Sequence, residues 1–298
     1  MNTLPIDKKV QIINLLVEGS SLRAAARIAD ITVKTVIRLL VDVGRACENF
    51  HNEKVMFVEA DKVQCDEIWS FCYSKQKNVP EGMEGVAGDI WTFTCLESES
   101  KLMISWLVGN RDAETTQMFM NDVAYRIKGK PGQLSTDGMK EYQAAVLNAF
   151  GSQINYAQVV KKYSNPTEAS TPERKYSPSK FIGAKRKFVF GWPDRKYIST
   201  SHVERSNLTL RMGSRRFTRL TNGFSKKIEN HALAVALHMT YYNFVRPHQS
   251  LRITPAMAAG LTKRFMTIED IVRLVPEPVA KKRGPYKKTS KNIDAEKI

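Results

Sequence analysis

Residues 63–73 (VQCDEIWSFCY) place an ionisable acid, Asp66, inside a β-rich, aromatic run. A carboxylate among Val63, Cys65, Ile68 and Trp69 is costly to bury unless it is paired or bound to a metal. The run is therefore a core strand whose acid needs a partner. Its neighbour Glu67 faces the opposite side of a regular strand, so only one of the two acids serves a given site. Two similar runs follow, 89–96 (DIWTFTCL) and 102–108 (LMISWLV). Residues 75–88, with Pro80 and several glycines, form the loop between the first two, as in an antiparallel meander. An amphipathic helix over 113–127 ends at the Gly-Lys-Pro-Gly of 129–132. A short strand over 133–136 then ends at Asp137-Gly138, a helix covers 142–150, and 154–160 forms a fifth strand. This order predicts an α/β fold, a mixed five-stranded sheet with flanking helices.

Upstream lie three short helices, over 6–18, 22–28 and 33–43. Gly19 ends the first, Ser20 or Ser21 caps the second and Thr32 caps the third. Short helix, tight turn, second helix is the helix-turn-helix pattern, in a small all-α domain over 1–46 joined by a 47–60 linker. Thr32, Lys34, Thr35 and Arg38 would face a DNA major groove; the alternative is a plain three-helix packing module.

The net charge of +16 calls for a polyanionic partner, nucleic acid or an anionic membrane surface. No apolar run approaches the ~18–20 residues needed to span a bilayer, and MNTLPIDKK does not read as a secretory leader. Cys47, Cys65, Cys72 and Cys95 form no CxxC pair, so reduced thiols in a cytosolic protein are expected. Residues 161–197 are basic, proline-broken and aromatic. Lys185, Arg186 and Lys187 beside Phe188, Phe190 and Trp192 could grip a nucleic-acid strand, or be a solvated loop. A helical appendix covers 249–274. The basic tail 275–298, with Lys282 and Arg283, is expected to be disordered alone and to touch DNA.

Phosphodiester chemistry requires a nucleophile, neutralisation of phosphate charge and a stabilised leaving group. Two Mg²⁺ ions roughly 3.5–4 Å apart supply all three, and they take hard oxygen ligands. Asp66, Asp137 and Glu204 are carboxylates from distant segments of a basic chain. Glu204 lies on a helix over 202–211, with Asn207 or Leu208 and Arg211 on the same face. Arg215 and Arg216 follow, then a strongly periodic helix over 226–244.

Three blocks carry a family resemblance: CDEIWSF around Asp66, STDGMKEY around Asp137, and SHVERSNLTLRMGSRRFTRLTNGFSKKIENH around Glu204. Over roughly residues 60–260 the chain resembles the insertion-sequence-one family of bacterial DDE transposases. The resemblance implies an RNase H-like catalytic domain over 61–248, interrupted by a basic insertion at 161–197. It implies a catalytic, Mg²⁺- or Mn²⁺-binding triad of Asp66, Asp137 and Glu204, with His202, Asn207 and Arg211 at further family positions. Partners would be double-stranded DNA, both the element's terminal inverted repeats and its target, and further copies in a homodimer or higher assembly. The location would be the bacterial cytoplasm, at the nucleoid. Two other readings fit the same residues: an inactive DNA-binding regulator with a nuclease-like domain, and another RNase H-like DNA nuclease.

Overall fold

The computed structural model describes residues 4–163, 181–218 and 221–276. One sheet dominates it, with strand order β3-β2-β1-β4-β5-β6. The strands are β1 (Lys62–Cys72), β2 (Gly88–Glu97), β3 (Met103–Gly109), β4 (Gln133–Asp137), β5 (Tyr156–Tyr163) and β6 (Phe181–Phe190). β1, β2 and β3 form the antiparallel meander, with Asp66 opposite Thr94. β4 adds to β1, and β5 to β4, in parallel, and β6 returns antiparallel to β5.

The sequence pattern yields five strands, whereas the described residues contain six. β6 falls in the stretch read as irregular. FIGAKRKFVF lacks the apolar–polar alternation of a half-buried strand because β6 is an edge strand, exposed over most of its length. Backbone pairing with β5 holds it, Val160 lying opposite Lys185.

Helices cover both faces of the sheet. On one, α4 (Ala113–Arg126) and α5 (Glu141–Phe150) bring Phe119 and Tyr142 against Phe93, with ring centroids 5.5 and 6.4 Å apart. On the other, α6 (Ser201–Gly213) and α7 (Ile228–Phe244) pack Val203, Leu210, Val235 and Met239 on Ile68, Leu96 and Met103.

The N-terminal helices are α1 (Ile6–Val17), α2 (Leu22–Ile28) and α3 (Val33–Lys54). Thr32 caps α3, its hydroxyl accepting from the Thr35 N–H at 3.3 Å. α3 continues well past residue 43, because Val43, Cys47 and His51 extend its buried stripe. Residues 47–54, read as linker, are therefore helix, packed on α7. Gly44 permits that approach: a Cβ there would stand 2.8 Å from Leu233 Cβ. The short α8 (Pro255–Ala258) packs on α7, and α9 (Ile268–Arg273) on α1. All four cysteines are buried free thiols. Among the described residues no helix is long and apolar enough to cross a membrane.

Candidate metal centre

Two adjacent strands and one helix bring the acids together. Asp66 sits in mid-β1 and Asp137 at the C-terminal end of the adjacent parallel strand. Glu67 joins them: Asp66, Glu67 and Asp137 each offer a carboxylate oxygen, and these lie within 4.8 Å of one another. This corrects the expectation that strand alternation keeps Glu67 out of the site. The β1–β4 ladder ends at Cys65 opposite Thr136. Asp137 lies just past it, within reach of both acids of β1.

Glu204 is outside that tight group, in the first turn of α6, close enough for its charge to act on both Asp66 and Asp137. Each of its oxygens is held. The Thr200 hydroxyl donates to Oε1, and Lys161 at the far end of β5 forms an ion pair with Oε2. Gln64 fixes the start of α6 against β1. Its Oε1 accepts from the backbone N–H groups of His202 at 2.9 Å and Val203 at 3.2 Å. The helix N-terminus thereby docks two residues from Asp66.

The remaining contacts orient the carboxylates. Asn207 Nδ2 donates to Asp66 Oδ2 at 2.9 Å, and Asn207 Oδ1 accepts from the Thr94 hydroxyl at 3.0 Å. The Met139 N–H donates to Asp137 Oδ1 at 3.0 Å. Arg111 spans the opposite side, its Nη2 lying 3.3 Å from Glu67 Oε2 and 3.5 Å from Asp137 Oδ2. Its guanidinium stacks over Trp91, 4.9 Å from the ring centroid.

The electrostatics favour a cation. Burial first, then the charges of Asp137 and Glu204, push the Asp66 carboxyl up to about 7. Burial, then Asp137, pushes Glu67 up to about 8. Burial raises Asp137 as well, against the Met139 N–H and Arg111. The buried Tyr142 hydroxyl lies against Glu67 and partly offsets the rise of that acid. Three converging, partly desolvated carboxylates are the hard-donor set that Mg²⁺ or Mn²⁺ requires, so these residues fit such an ion.

The other sequence-predicted residues lie farther afield. His202 is beside Lys101, whose charge, after burial, lowers its pKa. Arg211 is two turns along α6 from Glu204, Arg215 is exposed beyond it, and Arg216 is bonded to Ser225. Lys185, Arg186 and Lys187 are exposed on β6. Thr32, Lys34 and Arg38 are exposed along the first turns of α3, with Thr35 half-buried among them. Lys282 and Arg283, with nearly all of the basic tail, lie outside the described residues. Sequence reasoning missed Glu67, Arg111 and Lys161. The one available signal was the consecutive acids at 66 and 67.

No family model matches the chain, and no curated protein matches it. Among solved structures it is similar to a piggyBac transposase synaptic complex with hairpin DNA, at 10% identity and a TM-score of 0.37, over 92% of this chain and 71% of that one. It is similar to an endonuclease V from Bacillus subtilis at 11% identity and a TM-score of 0.24, over 64% of this chain and 87% of that one. A Mos1 strand transfer complex aligns at 12% identity and a TM-score of 0.22, over 80% of this chain and 78% of that one.

Proposed function

We propose that this chain is a DDE-type DNA transposase that cleaves DNA at the ends of an insertion sequence and joins those ends to a target. The observation that carries the reading is the meeting of Asp66, in mid-β1, with Asp137, at the end of the adjacent β4, and with Glu204 acting on both from α6, in a strongly basic chain. Residues 61–248 are read as an RNase H-like catalytic domain. Residues 1–46 are read as the helix-turn-helix that binds the terminal repeats, with Thr32, Lys34, Thr35 and Arg38 toward the groove.

Asp66, Asp137 and Glu204 are the proposed ligands of Mg²⁺ or Mn²⁺, with Glu67 beside them. Such an ion would supply charge neutralisation at the phosphate and a more nucleophilic hydroxyl. Water attacks phosphorus at the element's end, the bond to the 3′ oxygen breaks, and a 3′-OH is freed. That 3′-OH then attacks a target phosphodiester and displaces the target's own 3′ oxygen. The protein's part is positional. Asn207 and Thr94 fix the Asp66 carboxylate, Gln64 and Lys161 fix α6, and Arg111 bridges Glu67 and Asp137. Arg211 and Arg215, farther along α6 and just past it, are placed to contact DNA phosphates. Two ends must be joined, so the working form is a dimer or higher assembly on DNA.

The test is substitution of Asp66, Asp137 or Glu204 by its amide. Metal-dependent nicking and strand transfer should each vanish while binding to terminal-repeat DNA persists. Retention of either activity sinks the site assignment. Terminal-repeat binding by the wild-type chain with no nicking at any Mg²⁺ or Mn²⁺ concentration favours the inactive-regulator reading.

A further inference from the structure

A cavity of about 850 Å³ lies between the N-terminal helices and the α6–α7 side of the molecule, within the range of roughly 300–1,000 Å³ typical of small-molecule sites. It is separate from the acid cluster, none of whose carboxylates lines it. Val17, Val33 and Leu40 from α1 and α3 make one wall apolar. Arg23, Arg215, Arg216 and Lys226 also border it, and among the described residues no Asp or Glu does.

Arg216 decides the chemistry. Burial lowers its pKa to about 10, against Cys72, and among the described residues no carboxylate pairs with it. Among the described residues its Nη1 donates to the Ser225 hydroxyl, at 2.6 Å. A desolvated guanidinium without a counterion is stabilised by a bound anion. His238, on the same lining, has a buried Nδ1 with no hydrogen-bond partner among the described residues. Burial, then Arg246, lowers its pKa to about 4 and so keeps the ring neutral, with one donor and one acceptor nitrogen. Phe224 adds an aromatic ring to the lining, backed by Phe71 at 5.1 Å.

We propose that this cavity is a nucleotide-binding site, taking the phosphate on Arg216 and Arg215 and the base against the apolar wall, Phe224 and His238. A ligand with an anionic group and a flat, hydrogen-bonding apolar body satisfies all four features; an apolar peptide would leave the cations unmet. The proposal rests on the reading that this chain handles nucleic acid, and it deepens that reading. Val33, Ile37 and Leu40 of α3 and Gly213 at the end of α6 border one cavity. A nucleotide seated there therefore ties the helix proposed to read DNA to the helix that carries Glu204.

The full chain is titrated calorimetrically with deoxyadenosine 5′-monophosphate, deoxyadenosine and inorganic phosphate. In parallel, a duplex carrying 2-aminopurine is followed by fluorescence as the protein binds. The monophosphate should bind saturably, about 10-fold or more tighter than either fragment. Ala234→Phe, which fills the cavity, and Arg216→Gln should each weaken it by about 10-fold or more. If Arg216→Gln does not fold, the exposed Arg215→Gln replaces it. A fluorescence rise on DNA binding that Ala234→Phe abolishes identifies the ligand as a nucleotide extruded from the bound strand. Saturable monophosphate binding with silent 2-aminopurine identifies a free nucleotide. Either result supports the site. Binding of neither probe, inorganic phosphate binding as tightly as the nucleotide, or binding indifferent to Ala234→Phe overturns it. Asp66→Asn separates the two readings. It should abolish nicking and leave monophosphate binding within about two-fold, so a wild-type chain that binds the nucleotide but never nicks DNA defeats the transposase reading alone.

Discussion

Asn207 Nδ2 donates to Asp66 Oδ2 at 2.9 Å across the interface of α6 and β1, and that one hydrogen bond ties the helix carrying Glu204 to the strand carrying the central acid. Asn207 is 4% exposed, and the Thr94 hydroxyl at its Oδ1 sets which way the amide faces. It donates to one Asp66 oxygen and leaves the other for a cation. Partners that orient metal-binding carboxylates typically contribute about 10–100-fold to metal affinity. Asn207→Ala should therefore weaken Mn²⁺ binding by about that factor, measured by calorimetry on the DNA-free protein. Asn207→Asp should weaken it less, because it adds a ligand while losing the donor. Unchanged Mn²⁺ affinity in Asn207→Ala would remove Asn207 from the site.

Arg111 gives a prediction of opposite sign. It bridges Glu67, whose side chain is 2% exposed, and Asp137, and it is itself 39% exposed. Removing one partner of a fully buried pair costs about 3–5 kcal/mol. Solvent reaches this guanidinium, so Arg111→Ala should destabilise the metal-free protein by about 1–2 kcal/mol. Above about pH 8, where Glu67 is charged, Glu67→Gln removes a charge that burial disfavours and should raise the urea midpoint in EDTA. Millimolar Mg²⁺ should recover most of the loss in Arg111→Ala, since an ion replaces the missing cation between the carboxylates. Equal loss with and without Mg²⁺ would mean that Arg111 acts only as a structural tie to Trp91.

These residues also mark where the sequence was informative. Asp66 stood out because an acid within VQCDEIWSFCY has no cheap burial, and Asp137 because a short strand ended on Asp-Gly. Glu67 was assigned to the wrong surroundings. Alternation along a strand says which face a side chain leaves from, but not where the neighbouring ladder stops, and here it stops one pair before Asp137. Arg111 and Lys161 reach their acids only through the fold: one follows β3, the other lies on β5, and both are far in the chain from the acids they meet. β6 escaped because an edge strand needs no buried face. α3 runs past residue 43 because Gly44 lets α7 pack closely against it.

The acid cluster and three buried histidines set opposite pH dependences. Asp66 and Glu67 are raised in the folded state to about 7 and about 8. Native protein therefore keeps protons that the unfolded chain has released. The stability they contribute is complete below their unfolded values and is lost as pH rises through about 7 and 8. His51 and His231 are lowered to about 3 and His238 to about 4, in each case chiefly by burial. Their contribution is present above the unfolded value of about 6.5 and is lost as pH falls. Between about pH 5 and 6.5 the histidines, His202 and His248 lowered with them, outweigh the raised carboxylates, Asp137 among them; above it the carboxylates dominate. Without metal, stability should peak near pH 6.5 and fall toward pH 8. Mg²⁺ binds the deprotonated acids and should flatten that alkaline limb. Urea midpoints at about pH 5, 6.5 and 8, in EDTA and in Mg²⁺, test both limbs. A flat EDTA profile from pH 6.5 to 8 would show the carboxylates to be solvated.

The cations of α3 and β6 should differ in how their loss is felt. Lys185, Arg186 and Lys187 stand exposed on an edge strand, where they can meet phosphates without reading bases. Replacing all three with Gln should weaken binding to every DNA sequence alike. It should also reduce the slope of log K against log salt by up to about 2.7, at roughly 0.9 per phosphate contact. Arg38 is exposed one turn into α3, after a capped start that fixes the helix's entry. If α3 lies in the major groove, Arg38→Ala should cost about 1–3 kcal/mol on terminal-repeat DNA and much less on unrelated DNA, with a salt slope changed by about one or less. Band shifts with both duplexes between about 50 and 200 mM salt distinguish the two. A uniform loss in Arg38→Ala would reduce α3 to a phosphate contact, and an unchanged slope in the triple variant would take β6 off the DNA path.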